Sequence, residues 1–128
     1  MNASPLSTDS PSATARLAEL CCAPLLAEEL GAGDADLLAR ALRTLADPVR
    51  LRIVSRIRTS EDGRSTTTAL AAHLGLTQPT VSHHLGTLHD AGFLVRERAG
   101  RQTWYSVEPD AFEAMQQLLD PAPGRPSA

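Results

Sequence analysis

Between Thr66 and Tyr105 the chain reads TTTALAAHLGLTQPTVSHHLGTLHDAGFLVRERAGRQTWY, and the spacing of its breaks restricts what it can fold into. Leu70, Ala71 and Leu74 fall at helical spacing, and Gly75 follows as the residue that ends a helix in a turn at least cost, which predicts a helix over Thr67 to Leu74. After Gly75 and Leu76, Thr77 is a good N-cap. Pro79 suits a first helical turn, where its missing N–H costs nothing, so a second helix is expected to begin there. Its inward positions are Val81, Leu85 and Leu88. Between them lie Gln78, Thr80, Ser82, His83, Thr87 and His89, short polar or amphipathic side chains that can exchange hydrogen bonds with base edges and phosphates. A solvated helix would carry Lys and Glu pairs, and this one has neither.

Ala91-Gly92 supplies a stop, and Phe93, Leu94 and Val95 open an extended segment. Ala99-Gly100 marks a hairpin tip. Thr103, Tyr105 and Val107 then alternate with Trp104 and Ser106, as in a half-buried strand. Arg96, Arg98 and Arg101 gather on or beside the hairpin, where permanently charged, bidentate guanidinium groups suit phosphate or minor-groove contact. Helix, turn, helix and hairpin in this order make a winged helix-turn-helix. The expected fold class is therefore mainly α with a small β-hairpin, and the candidate DNA-contacting residues are Gln78, Thr80, Val81, Ser82, His83, His84, Arg98, Arg101 and Gln102.

A chain of 128 residues with one Trp, one Tyr and two Phe supports one modest, aliphatic-cored domain and leaves little room for an enclosed active site. The net charge of −3 is unlike that of most nucleic-acid binders, so DNA binding here rests on local charge. From Leu70 to Tyr105 the ionised residues are Arg96, Arg98 and Arg101 against Asp90 and Glu97. No apolar run approaches the roughly 20 residues that span a bilayer, and the start of the chain lacks a signal-peptide pattern, so a cytoplasmic protein without membrane contact is expected.

Residues 1–14 are rich in Ser, Pro, Thr and Ala, a composition expected to form a disordered arm. The domain is expected over 15–120, with a tail over 121–128. Leu17, Leu20 and Cys21 share a helical face until Pro24 interrupts it. Gly31, Ala32 and Gly33 are expected to end this segment. Asp34 is expected to cap a helix with Leu37, Leu38, Ala41, Leu42 and Leu45 in a wide apolar stripe. Asp47-Pro48 launches a helix with Val49, Ile53, Val54 and Ile57 inward and Arg50, Arg52, Arg56 and Arg58 on a solvated face. Ser60 to Ser65 is expected to be a polar loop. Glu108-Pro109-Asp110 starts a last helix with Phe112, Met115, Leu118 and Leu119 on one side. Apolar surplus on the first and last helices predicts a two-fold dimer.

TLADPVRLRIV (Thr44 to Val54), LGLTQPTVSHHLGTLHDAGFLVRERAGRQTWYSV (Leu74 to Val107) and the closing helix together resemble the ArsR/SmtB family of metal- and metalloid-responsive repressors, over about Asp34 to Leu119. The resemblance implies a dimeric repressor that leaves operator DNA when an inducer binds. The family's sensing sites vary in position. The site that places cysteines at the start of the first helix of the helix-turn-helix is missing, since Ser65 to Ala69 carries no thiol. The site on the last helix is missing too, since Pro109 to Asp120 carries no histidine. A third arrangement, in arsenic sensors, has an adjacent cysteine pair in the N-terminal extension and another cysteine in the loop before the helix-turn-helix. Cys21-Cys22 matches the pair, while Ser60 to Ser65 lacks the third thiol.

Neighbouring cysteines make a poor structural disulfide, and thiolates select soft metals and metalloids. As(III) or Sb(III) at Cys21 and Cys22 is thus the expected inducer. Two other readings stay open: a repressor whose cysteine pair answers to redox or to Cd, Pb or Zn, and a winged helix that binds protein only. His83 and His84 diverge by about 100° on a helix and do not chelate one metal. Ser82, His83 and Asp90 are not brought together by helical spacing, so no catalytic activity is expected.

Overall fold

The computed structural model of the chain describes residues 29–121. Cys21 and Cys22, the arm over 1–14 and residues 122–128 of the tail lie outside the described residues. Helix α1 spans Ala32–Leu45 and begins two residues before the expected Asp34 cap. Extended Gly31 precedes it without any side-chain cap, and Asp34 sits inside the first turn, where its charge meets the positive end of the helix dipole. Leu38 and Ala41 are buried and Leu37 and Leu45 partly so, while Leu42 stays exposed.

Helix α2 (Pro48–Thr59) starts as its sequence dictates. The Asp47 carboxylate accepts hydrogen bonds from the N–H groups of Val49 at 2.9 Å and Arg50 at 3.1 Å. Ile53, Val54 and Ile57 face inward and Val49 packs at the core's edge. The expected loop at Ser60 to Ser65 is instead a 3-10 turn over Glu61–Gly63 followed by strand β1, Arg64–Thr66. Asp62 and Gly63 turn the chain with φ of 60° and 66°. A strand of three residues is too short for a periodic signal, and its partner lies far along the chain.

Helix α3 (Thr67–Leu74) is capped by Thr66, whose hydroxyl accepts from the Ala69 N–H at 3.1 Å. It ends at Gly75, left-handed at φ 70°. Helix α4 (Gln78–Asp90) follows, then β2 (Leu94–Ala99), β3 (Gln102–Val107) and α5 (Pro109–Leu118). The strands form one antiparallel sheet in the order β1-β3-β2, with Ser65 opposite Tyr105 and Arg96 opposite Tyr105 on the other flank. The hairpin of the wing is thus backed by a third strand. Outside the sheet's core face, the Arg64 guanidinium lies 4.2 Å from the centre of the Trp104 ring.

One core unites these elements. Ile53, Ile57, Leu70, Val81, Leu85, Leu88 and Phe93 are fully buried. On α5 Ala111, Ala114 and Met115 are buried; of the expected Phe112, Met115, Leu118 and Leu119, Phe112 and Leu118 pack partly buried against the core and only Leu119 is left out. Phe112 rests against Phe93 at 5.2 Å, and Leu119 is 71% exposed beyond the helix end. Among the described residues, no helix is long and apolar enough to cross a membrane.

The Asp47 cap carries a pH signature. Its carboxyl is held below the ordinary value of 3.8, chiefly by the Arg50 N–H and further by the Val49 N–H and the nearby His84 and Arg50 side chains, against a desolvation cost. A folded-state pKa below the unfolded one gives stability that is full above the unfolded value and lost as pH falls through the folded one. Asp47→Ala should therefore melt at lower temperature than wild type at pH 7. That gap should narrow once pH falls below 3.8. Thermal melts of both proteins across this range check it, and a gap independent of pH would show that the charge of the cap is irrelevant.

Candidate nucleic-acid interface

Helix α4 presents a sharply divided surface. Thr77 accepts from the Thr80 N–H at 3.3 Å and donates its hydroxyl to Thr80 Oγ1 at 2.9 Å, which leaves the Thr80 hydroxyl proton free to point outward. Because Val81, Leu85 and Leu88 are drawn into the core, Gln78, Pro79, Thr80, Ser82 and His83 are left exposed together on the first two turns. These turns carry no carboxylate, and the N-terminal end of a helix carries partial positive charge. A polar, acid-free helix start of this kind fits the donor and acceptor pattern of a major groove.

Two of the expected contact residues fall elsewhere. Val81 is 0% exposed, so it anchors the helix and cannot touch a ligand. His84 is half-buried, and its Nδ1 accepts a hydrogen bond from Arg50 Nε at 3.2 Å. Arg50 in turn donates from Nη1 to the Thr44 carbonyl at 3.0 Å. Arg50 was expected on a solvated face. Instead it bridges three helices, a role that no local pattern announces.

On the wing, directly opposed residues share a face of the sheet. Leu94, Arg96 and Arg98 therefore lie on the side of Val107, Tyr105 and Thr103. Tyr105 and Leu94 are buried, so this side faces the core and the two exposed arginines extend it past the core's edge. Arg101 occupies the two-residue tip beside Gly100, which has φ of 66°, the conformation a tight hairpin turn asks of its first residue. Gln102 pairs with Ala99 on the opposite face from Arg98. The wing thus offers Arg96 and Arg98 on one side, Arg101 at the tip and Gln102 on the other side. Arg96 joins the candidate set through this parity, which was legible in the alternation of the strand.

Among the described residues, no group of three or more His, Cys, Asp or Glu side chains is arranged to hold a metal ion. His89 lies 3.4 Å from Asp90, an exposed neighbour contact.

Comparison with known proteins agrees with this geometry. A helix-turn-helix domain family matches residues 45–97. The transcriptional regulator CmtR of Mycobacterium tuberculosis H37Rv is 46% identical over 70 residues, which cover 55% of this chain and 57% of the relative. The chain thus spans just over half the length of that curated relative. The biofilm growth-associated repressor of Agrobacterium fabrum is 36% identical over 87 residues, covering 68% of this chain and 69% of the relative. Among solved structures, a possible transcriptional regulator for arsenical resistance superposes with a TM-score of 0.52 at 31% identity, covering 61% of this chain and 75% of the other. With its cap residues, its polar reading helix and its arginine-edged wing in one fold, the chain belongs to the ArsR/SmtB family of winged helix-turn-helix regulators.

Proposed function

We propose that the protein is a cytoplasmic, homodimeric transcriptional repressor that binds operator DNA and is released by a thiophilic inducer at Cys21 and Cys22. The observation that carries the DNA role is the acid-free, exposed start of α4 beside a wing face edged by Arg96 and Arg98. In this reading Gln78, Thr80, Ser82 and His83 reach base edges in the major groove, and Arg98, Arg101 and Gln102 hold the flanking backbone. A two-fold arrangement is supported by Leu42 and Leu119, large apolar side chains left exposed on or just beyond α1 and α5. Two copies bring two reading helices to one inverted repeat, with half-sites about one helical turn apart or a multiple of it.

The inducer follows from thiol chemistry. As(III) or Sb(III) accepts two thiolates from an adjacent pair and completes its shell with a small thiol, water or a partner's cysteine. The likeness to a possible transcriptional regulator for arsenical resistance supports the same ligand class. Since Cys21 and Cys22 precede α1, ligation there acts through the helix that leads into α2 and the reading helix. A coupling of about 1 to 3 kcal/mol shifts operator occupancy severalfold to roughly a hundredfold.

Two outcomes are expected. Ser82→Ala or His83→Ala should lose about 1 to 3 kcal/mol of operator affinity and relax specificity, whereas Arg101→Ala should weaken all sequences alike and flatten the salt dependence. Fluorescence anisotropy over a salt series distinguishes these effects. Wild-type affinity in both helix variants would remove α4 from the interface. As(III) titration of operator-bound protein should release the wild type and spare the Cys21→Ser, Cys22→Ser double variant. Release of both at the same As(III) concentration would place the sensor elsewhere.

A further inference from the structure

The bridge made by Arg50 does more than hold the core together. Arg50 Nε always carries its proton, so the ring nitrogen that accepts from it at 3.2 Å must be unprotonated. The same guanidinium is bonded to the Thr44 carbonyl in the last turn of α1 at 3.0 Å, and the Arg50 N–H is bonded to the cap of α2. A single residue, through its guanidinium and its backbone N–H, thus joins the end of the first helix, the start of the second and the middle of the reading helix. Two other ionisable groups near the ring are Asp47 and His83, whose ring lies 5.6 Å away, edge-on.

We propose that Arg50 is a positioning residue for operator reading: by bonding His84 Nδ1 and the Thr44 carbonyl together, it sets the pose of α4 against the end of α1. The proposal rests on the DNA-reading function above and adds to it the element that couples α1 to the reading helix. Only one orientation of α4 fits a groove, so a clamp that holds it before binding raises affinity without touching DNA. Replacing the guanidinium frees His84 to rotate, removes a charge-assisted bond, and leaves the exposed residues of α4 chemically unchanged.

The test has two arms. In the free wild-type protein, the Nδ1 resonance of His84 should be that of an unprotonated ring nitrogen displaced by an accepted hydrogen bond, and Arg50→Gln should remove that displacement. A protonated Nδ1 in the wild type at pH 7.5 overturns the clamp outright. In the second arm, operator affinity is measured for Arg50→Gln, His84→Gln and the double variant, each shown folded by its thermal melt. Each single variant should lose about tenfold in affinity or more, and the double variant no more than Arg50→Gln alone, because His84→Gln removes only a bond that Arg50→Gln already removes. His84→Asn, whose side-chain oxygen lies near the Nδ1 position, should recover most of what His84→Gln loses. Additive losses, or His84→Gln at wild-type affinity, overturn the positioning role. If the wild-type protein itself binds no promoter fragment, the DNA-reading function fails and the positioning role falls with it. A failed cycle on a wild type that does bind sinks the positioning role alone.

Discussion

Everything the surface of α4 can do depends on the burial of Val81, Leu85 and Leu88. These three side chains are 0% exposed and lock the rotation of the helix about its own axis. Each contributes roughly 1.5 to 3 kcal/mol of apolar burial, more than any contact the opposite face makes in the free protein. A different rotation would bury Ser82 and His83 and expose leucine to water. The polar face is therefore imposed by the core, and the side chains on it are free to be chosen for what they bind.

The rest of the fold supports that rotation. Helix α2 supplies Ile53, Val54 and Ile57 as packing partners, and its Asp47 cap fixes where it starts. Strand β1, paired to β3, gives the wing a third strand at its base, which makes the hairpin an extension of a sheet and not an isolated ribbon. Arg96 and Arg98 consequently project from a backbone paired to β3, which is itself paired on both flanks. Placement matters more here than total charge: an acidic chain can still offer an acid-free helix start and an arginine-edged wing.

Local signals made the helix-turn-helix readable from sequence. Thr66, Gly75, Thr77 and Pro79 act within a few residues of themselves, and the spacing of Val81, Leu85 and Leu88 is a helical repeat. What escaped sequence reading depends on distant partners. The β1 pairing joins Ser65 to Tyr105, and the Arg50 to His84 bond joins two helices across the helix-turn-helix. On α5, Ala111 and Ala114 are buried while Leu119 is exposed, which depends on the side of the helix that the rest of the fold covers and which no single helix pattern encodes. Val81 illustrates the boundary: its position on the inward stripe was legible, and that position excludes the contact role also expected of it.

The central claim, that the exposed start of α4 reads a major groove in the context of a dimer, is tested most directly by hydroxyl-radical and methylation footprinting on the promoter DNA of the gene's own operon. Two protected segments are predicted, with guanine N7 protection in major grooves about one helical turn apart or a multiple of it, and weaker backbone protection on their flanks from the wing. A footprint with no major-groove protection, or a single unpaired segment at saturating protein, would contradict it.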